Sequence, residues 1–387
     1  MMDIILGMNS LLSDIDLAQR LIAFDTTSCE SNLELISWVA EYLDASGAKV
    51  DLVASEDGLK ANLVAMVGPD CEKGEGLTLS GHVDTVPADE DDWISPAFEL
   101  TEREGALFGR GSCDMKGFCA IAVNALRAAS QRTLKAPLCV LLTYDEEVGS
   151  LGAKQLSQQW KQPLPRATVV GEPTSLRVVR MHKGHLKIRI DVKGIPAHSG
   201  SPHLGRNAVE EATRIVALLQ ELSLQMQQES LESSQYFRGV PYAVLTVVGI
   251  RGGNAMNIVP EKCEIDLSVR LLPGQDKALL MSRINSCIAD AGDGGKIVTA
   301  EENPTLLTPQ EASICDACCK LVGQTETLGV SYASDGGFLA ALGLEAVLFG
   351  PGDIGVAHKS NEYVPIDELR DCSGYVEALA LQMCGGA

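Results

Sequence analysis

Two histidines and three carboxylates, His82, Asp114, Glu147, Glu172 and His358, each stand at the end of an apolar run or in a glycine-rich turn. In such places a side chain can face a cleft. Imidazole nitrogens and carboxylate oxygens are the donors that Zn²⁺-like divalent ions take. The three carboxylates bring a formal charge of about −3, which offsets most of the charge on two such ions. A further acid, Glu146, adjoins Glu147 and suits a general base. The set points to metal-assisted hydrolysis.

Each motif has its own logic. In LTLSGHVDTV (77–86) an apolar strand runs out into Gly81, and at a period of two His82 and Asp84 share a face. A metal-bound imidazole needs its second nitrogen held by an acceptor. Asp84 can hold it, or can orient the base. In GRGSCDMKG (109–117) glycines surround Asp114 just before a helix. A carboxylate there can cap the helix, which alone does not need that backbone, or can be presented as a bridge between two ions. The run LCVLLTY ends in Asp145-Glu146-Glu147, three acids that repel one another unless a cation or solvent relieves them. At a strand end neighbours point different ways, so one can ligate while the other faces a substrate. TVVGEPT (168–174) ends a second apolar run in Glu172, and FGPGDIGVAHK (349–359) leads through a Gly/Pro loop to His358.

These residues need a scaffold that brings strand ends together. From Leu11 to Val179 the pattern alternates, with helices expected over 14–24, 32–46 and 115–129 and strands over 49–53, 62–67, 77–80, 138–144 and 168–171. Continuous apolar strands imply a sheet covered on both faces. The expectation is an α/β catalytic domain with a mixed β-sheet between helices, whose ligands gather at the carboxyl ends of strands. After His182 the strands alternate polar and apolar. Strands near 187–192, 243–250, 262–272 and 296–300, helices over 207–222 and 277–291, and a polar loop over 225–238 give the order β-α-β-β-α-β. That order predicts an inserted α+β domain, a ferredoxin-like sandwich. Its open sheet edge suits dimerisation. The first character returns with helices at 309–321 and 366–383 and a strand at 346–349. The catalytic domain is then 1–182 with 301–387, and the insert 183–300.

A length of 387 residues favours two cores. The net charge of −21 opposes nucleic-acid and anionic-membrane partners. No apolar run is long enough to span a bilayer. The N-terminal MMDIILGMNSLLSDIDLA lacks a basic region and carries acids, so no signal peptide and a cytoplasmic location are expected. The twelve cysteines form no paired framework and are expected reduced. Cys315, Cys318 and Cys319 read as a buried small-residue stripe rather than a metal cluster.

The blocks GHVDTVP, GRGSCDMKG, TYDEEVGS, VVGEPT and GPGDIGVAH resemble those of the co-catalytic dinuclear zinc metallopeptidases, which include aminoacylases, carboxypeptidase G and succinyl-diaminopimelate desuccinylase. The resemblance covers essentially the whole chain, including GIPAHSGSP and GRNAVEEA in the insert. It implies a small N-acyl amino acid substrate, a homodimer and two divalent ions, Zn²⁺ or Co²⁺. His82, Asp114 and Glu172 would hold one ion, and Asp114, Glu147 and His358 the other. Glu146 would be the base, Asp84 its supporting carboxylate, and His198 a group reaching the partner subunit's site to stabilise an oxyanion. Asn257, Arg270 and Ser334 would bind substrate. A cis peptide after Asp114 is also implied. GEPTSLRVVRMHKGH, RGGNAMNIVPEKCEIDLSVRLLPG and GPGDIGVAHKSNEY are most similar to enzymes that deacetylate an amino acid, whereas Ser334-Asp335-Gly336 resembles a desuccinylase loop.

Overall fold

A computed structural model describes residues 11–88 and 92–385. The first ten residues, on which part of the signal-peptide reading fell, lie outside it. The chain forms two compact units. One runs to Arg180 and resumes over Leu307–Leu328 and from Ser334 onward; the other comprises Met181–Leu306 and Gly329–Ala333.

In the first unit the elements follow the apolar pattern. They are α1 (Asp14–Ile22), α2 (Leu33–Asp44), β1 (Lys49–Ala54), β2 (Ala61–Val67), β3 (Leu77–His82), β4 (Thr101–Arg103), β5 (Ala106–Phe108), α3 (Lys116–Ala129), β6 (Leu138–Thr143), α4 (Leu151–Gln159) and β7 (Ala167–Val170), followed by β8 (Val179–His182), within which the first unit gives way to the second. The sheet runs β1-β2-β6-β3-β7 and then to a strand near the C-terminus, β15 below. β1 and β2 are antiparallel to their neighbours, whereas β6, β3, β7 and β15 are parallel. This is the mixed sheet that the sequence implied. β3, β6 and β7 are buried along their whole length, as continuous apolar strands between helices must be. Almost all of α3 is buried too, because its run of alanines and other small residues lets it lie flat on β3 and β6.

In the second unit β9 (Gly184–Lys193), α5 (Ala208–Met226), β10 (Val244–Gly252), β11 (Lys262–Leu271), α6 (Lys277–Ala291) and β12 (Gly295–Asn303) follow in the expected order. They form an antiparallel sheet, β10-β11-β9-β12. On β9, Leu186, Ile188, Ile190 and Val192 are buried while their alternate neighbours are not. The buried set packs with Ile215, Leu219, Ile284 and Ile288 of the two helices. One face of this sheet is therefore core and the other is open.

The chain continues through β13 (Leu306–Leu307), α7 (Ser313–Val322), β14 (Leu328–Val330), α8 (Gly336–Ala341), β15 (Glu345–Leu348), β16 (Tyr363–Pro365) and α9 (Ile366–Cys384). Several elements were not legible. The β4–β5 hairpin, which continues into β16, is too short to show a period. α4 and α8 are short helices with weak amphipathic patterning. The polar stretch read as a loop over 225–238 holds the end of α5 and a 3₁₀ turn over Glu232–Tyr236.

Gly171, between β7 and Glu172, lies against Phe118 of α3: a Cβ there would fall 1.9 Å from ring carbons. Gly171→Ala is expected to destabilise the protein by about 1–3 kcal/mol through overpacking. A urea midpoint equal to that of the parent would contradict this contact.

Candidate metal centre

The parallel strands deliver side chains to one edge of the sheet. His82 is the last residue of β3, Glu146 and Glu147 follow β6, Glu172 follows β7, and His358 lies in the loop after β15. Asp114 comes from the glycine-rich turn before α3, and its peptide bond to Met115 is cis. His82 Nε2 lies 2.9 Å from Asp114 Oδ1, and His358 Nε2 lies 3.3 Å from Asp114 Oδ2. One carboxylate thus stands between two imidazoles. His358 Nε2 is also 2.9 Å from Glu147 Oε1. Ligand atoms of His82, Asp114 and Glu147 all fall within 4.8 Å of one another. All five residues singled out in the sequence belong to the first unit.

With this geometry in view, residues 78–272 and 294–382 match peptidase family M20/M25/M40. The chain belongs to that family. An acetylornithine deacetylase of Myxococcus xanthus is 36% identical over 95% of this chain and 96% of its own. Another, from Klebsiella pneumoniae, is 33% identical over 97% and 99%. Among solved structures, an M20-family metallo-carboxypeptidase from Sulfolobus solfataricus shares the fold at a TM-score of 0.77, with 19% identity over 95% of this chain and 98% of that one. A dinuclear metal-binding M20 peptidase from Bacillus subtilis does so at 0.66, with 15% identity over 96% and 97%.

Around this sheet edge, two buried acids hold the backbone and a third holds a side chain. Asp84 Oδ1 accepts the Glu146 N–H at 3.0 Å, and its Oδ2 accepts the Glu147 N–H at 3.2 Å and the Ser28 hydroxyl at 2.8 Å. His82 Nδ1 lies nearer the Asp84 carbonyl oxygen, at 3.0 Å, than the Asp84 carboxylate, at 3.5 Å. The carbonyl therefore orients the ring, and the carboxylate orients the acidic turn. The second acid, Glu362, was overlooked in the sequence although GVAHKSNEY contains it. Its Oε1 accepts the N–H groups of Cys113 and Asp114 at 2.9 and 3.0 Å, and its Oε2 accepts from Arg110 at 2.7 Å. A lone acid next to an asparagine gives no local signal; only the fold shows that it carries the Asp114 turn. Asp335, the third, accepts from the Thr143 hydroxyl at 2.5 Å. Asp145 is turned away from the ligands by its left-handed φ of 53° and pairs with Lys60.

The electrostatics show what this cluster lacks. Burial, and then the Asp114 charge, push the Glu172 carboxyl well above the usual range. Burial, and then Glu172, do the same to Glu146. Burial also raises Glu147 and takes Asp335 up to about 6. Burial opposes the charge on His82, yet hydrogen bonds to Asp114 and Asp84 hold its pKa well above the ordinary value. Asp114 and Glu147 raise His358 to about 10. Without a cation the cluster gathers protons. Glu172 Oε1 is buried with no hydrogen-bond partner, an acceptor left for something other than a proton donor. Two nitrogens and three carboxylates around one acceptor gap fit divalent ions.

The other sequence candidates fall elsewhere. Ser334 is fully buried and its hydroxyl accepts the Gly336 N–H at 3.1 Å, so it closes a turn and does not face an open cleft. His198, Asn257 and Arg270 belong to the second unit. His198 and Asn257 are exposed neighbours: the Ser199 N–H donates to the Asn257 carbonyl at 2.9 Å, and His198 bridges Ile258. Arg270, on β11, stands between His185 of β9 and Val244 of β10. Cys315 and Cys318 are buried on α7, and burial pushes the Cys315 thiol up to about 12. Among the described residues the metal-capable group is His82, Asp114 and Glu147, not these thiols.

Glu362→Gln is expected to lower divalent-ion affinity about 10–100-fold, as the loss of a group that orients a ligand does. Competition with a chelating dye measures it, and parental affinity would refute the role. The raised histidines set a second expectation. Their contribution to folding is complete below the unfolded value of 6.5 and is lost as pH rises toward about 10 for His358. Lys116 and Lys183, lowered to about 8, act in the opposite sense only above that pH. His182 and His185, lowered to about 4, have made most of their opposing gain by pH 6.5, and the raised Glu146 and Glu172 act with the raised histidines. Chelator-treated protein should therefore have a lower Tm at pH 8 than at pH 6.5. A flat or rising Tm would contradict the metal-free electrostatics.

Proposed function

We propose that this M20 chain is a dinuclear metal-dependent amide hydrolase that removes the acetyl group from N2-acetyl-L-ornithine, releasing L-ornithine and acetate. The observation that carries the chemistry is Asp114, placed between His82 and His358 with Glu147 alongside. The full-length likeness to the two acetylornithine deacetylases supports the choice of substrate.

His82, Asp114 and Glu172 would hold one divalent ion, and Asp114, Glu147 and His358 the other, with Zn²⁺ first and Co²⁺ as an alternative. When bound, such ions lower the pKa of water toward neutrality and polarise an acyl carbonyl. The chain's own residues do the rest. Glu146 accepts a proton at its carboxylate as water attacks the acyl carbon, then donates it to the departing amine. Asp84 keeps the turn in place through the Glu146 and Glu147 N–H groups. His198 is assigned to oxyanion stabilisation in a partner subunit's site, and Asn257 and Arg270 to the substrate carboxylate. In favour of a homodimer, Val248 and Ile250 are exposed on β10, an edge strand. The acidic net charge supports a cytoplasmic enzyme acting on small solutes.

Glu146→Gln is expected to lose about 10²–10⁴-fold in kcat, the usual contribution of a general base, while keeping full metal content. A metal-loaded Glu146→Gln enzyme with parental kcat would remove Glu146 from the mechanism. N-acetyl-L-ornithine and N-succinyl-diaminopimelate, compared at equal metal loading, decide the substrate: a higher kcat/KM for the succinyl compound overturns the deacetylase reading.

A further inference from the structure

Asp335 stands at the N-cap of α8, but its side chain makes no capping bond to that helix. It instead reaches residues far away in sequence. The Thr143 hydroxyl donates to Asp335 Oδ2 at 2.5 Å, while Asp335 Oδ1 is buried without a hydrogen-bond partner, and the Ser150 hydroxyl nearby helps to hold down the pKa that burial raises. Thr143 is the last residue of β6 and Ser150 immediately precedes α4. All three are buried. Between Thr143 and Ser150 lies the turn that carries Glu146 and Glu147.

Ser150 has a further property. Its backbone is left-handed, with φ 54° and ψ 42°, where glycine is the least strained residue. What glycine lacks is the hydroxyl. That hydroxyl lies 3.5 Å from Glu146 Oε1, so it adjoins two carboxylates at once. The turn is also tied to itself, since Gly149 and Ser150 N–H groups both donate to the Glu146 carbonyl at 2.9 Å. A shift of Ser150 would carry Glu146 with it. Burying Asp335 beside the other acids of the site costs free energy, and an apolar side chain would fill the same volume without that cost.

We propose that Asp335 is a positioning residue that anchors the acidic turn at its start through Thr143 and, with Ser150 bonded to Glu146 at its end, fixes where Glu146 points. This rests on the reading of Glu146 as the general base. The clamp acts on orientation and not on ligation, so its loss misplaces the base and leaves the ions bound.

The test uses the full-length, metal-loaded enzyme with N-acetyl-L-ornithine. Asp335→Asn is expected to lower kcat about 10–100-fold, the effect of a misplacement on the order of 1 Å. KM should stay within about 3-fold, and metal content and Tm should match the parent. Thr143→Val and Ser150→Gly should lose kcat in the same way, and Thr143→Ser should recover most of the Thr143→Val loss. Combining Asp335→Asn with Ser150→Gly should cost no more than either alone, as for parts of one unit. Parental kcat in Asp335→Asn, with Glu146→Gln inactive, overturns the clamp and leaves the base intact. A fully active Glu146→Gln enzyme overturns the base reading and the clamp's purpose together. A loss in Asp335→Asn that tracks metal content or KM overturns positioning in favour of ligation or binding. Should Asp335→Asn fail to fold, the Thr143 pair and Ser150→Gly decide: parental kcat in Thr143→Val and Ser150→Gly overturns the clamp.

Discussion

Carboxylates packed together out of water set the terms for this site. Asp114, Glu146, Glu147, Glu172 and Asp335 converge at one sheet edge, and burial raises most of their pKa values. Mutual repulsion in a poorly solvated site is relieved by protons or by cations. Asp114 escapes the general trend because hydrogen bonds from two imidazoles outweigh its burial. Its position between them makes it the natural bridge. The orphaned oxygen of Glu172 shows the same imbalance from the other side, as a buried acceptor with no donor. Such a gathering of buried negative charge fits divalent ions.

Holding such a cluster requires a rigid frame, and the frame is made of backbone bonds to acids. Asp84 takes the N–H groups of the acidic turn, and Glu362 takes those of the Asp114 turn. Arg110 neutralises Glu362 at 2.7 Å, so this buried charge is paired, as it must be. Behind them, β3, β6, β7 and nearly all of α3 are buried, down to a glycine that accommodates Phe118. His82, Glu146, Glu147 and Glu172 thus stand at the ends of the most buried strands of the unit, where side-chain orientation is best fixed.

The second unit shows the opposite character. Its antiparallel sheet has one packed face and one open face, and exposed aliphatic residues line an edge strand. Buried strands suit a site that must not move. An open sheet suits a surface that meets something else.

Much of the first unit could be read from the chain, because a buried parallel strand leaves a continuous apolar run and its carboxyl end is where a ligand must appear. His82, Glu147, Glu172 and His358 were legible for that reason, and Asp114 because three glycines around one acid are unusual. The β-α-β-β-α-β order of the insert was legible because alternation survives on a half-exposed sheet. Other features depend on which segments become neighbours. Glu362 and Asp335 are isolated acids in sequence, and their partners, Asp114 and Thr143, lie 248 and 192 residues away. Asp84 was identified, but the division of labour between its carbonyl and its carboxylate is a matter of tenths of an ångström. Ser334 resembled a substrate group until packing buried it. Residue types and local periodicity thus determined which atoms could bind metal and which strands would present them. Tertiary structure alone decided how those atoms are held, because hydrogen bonds between distant segments leave no period in the sequence.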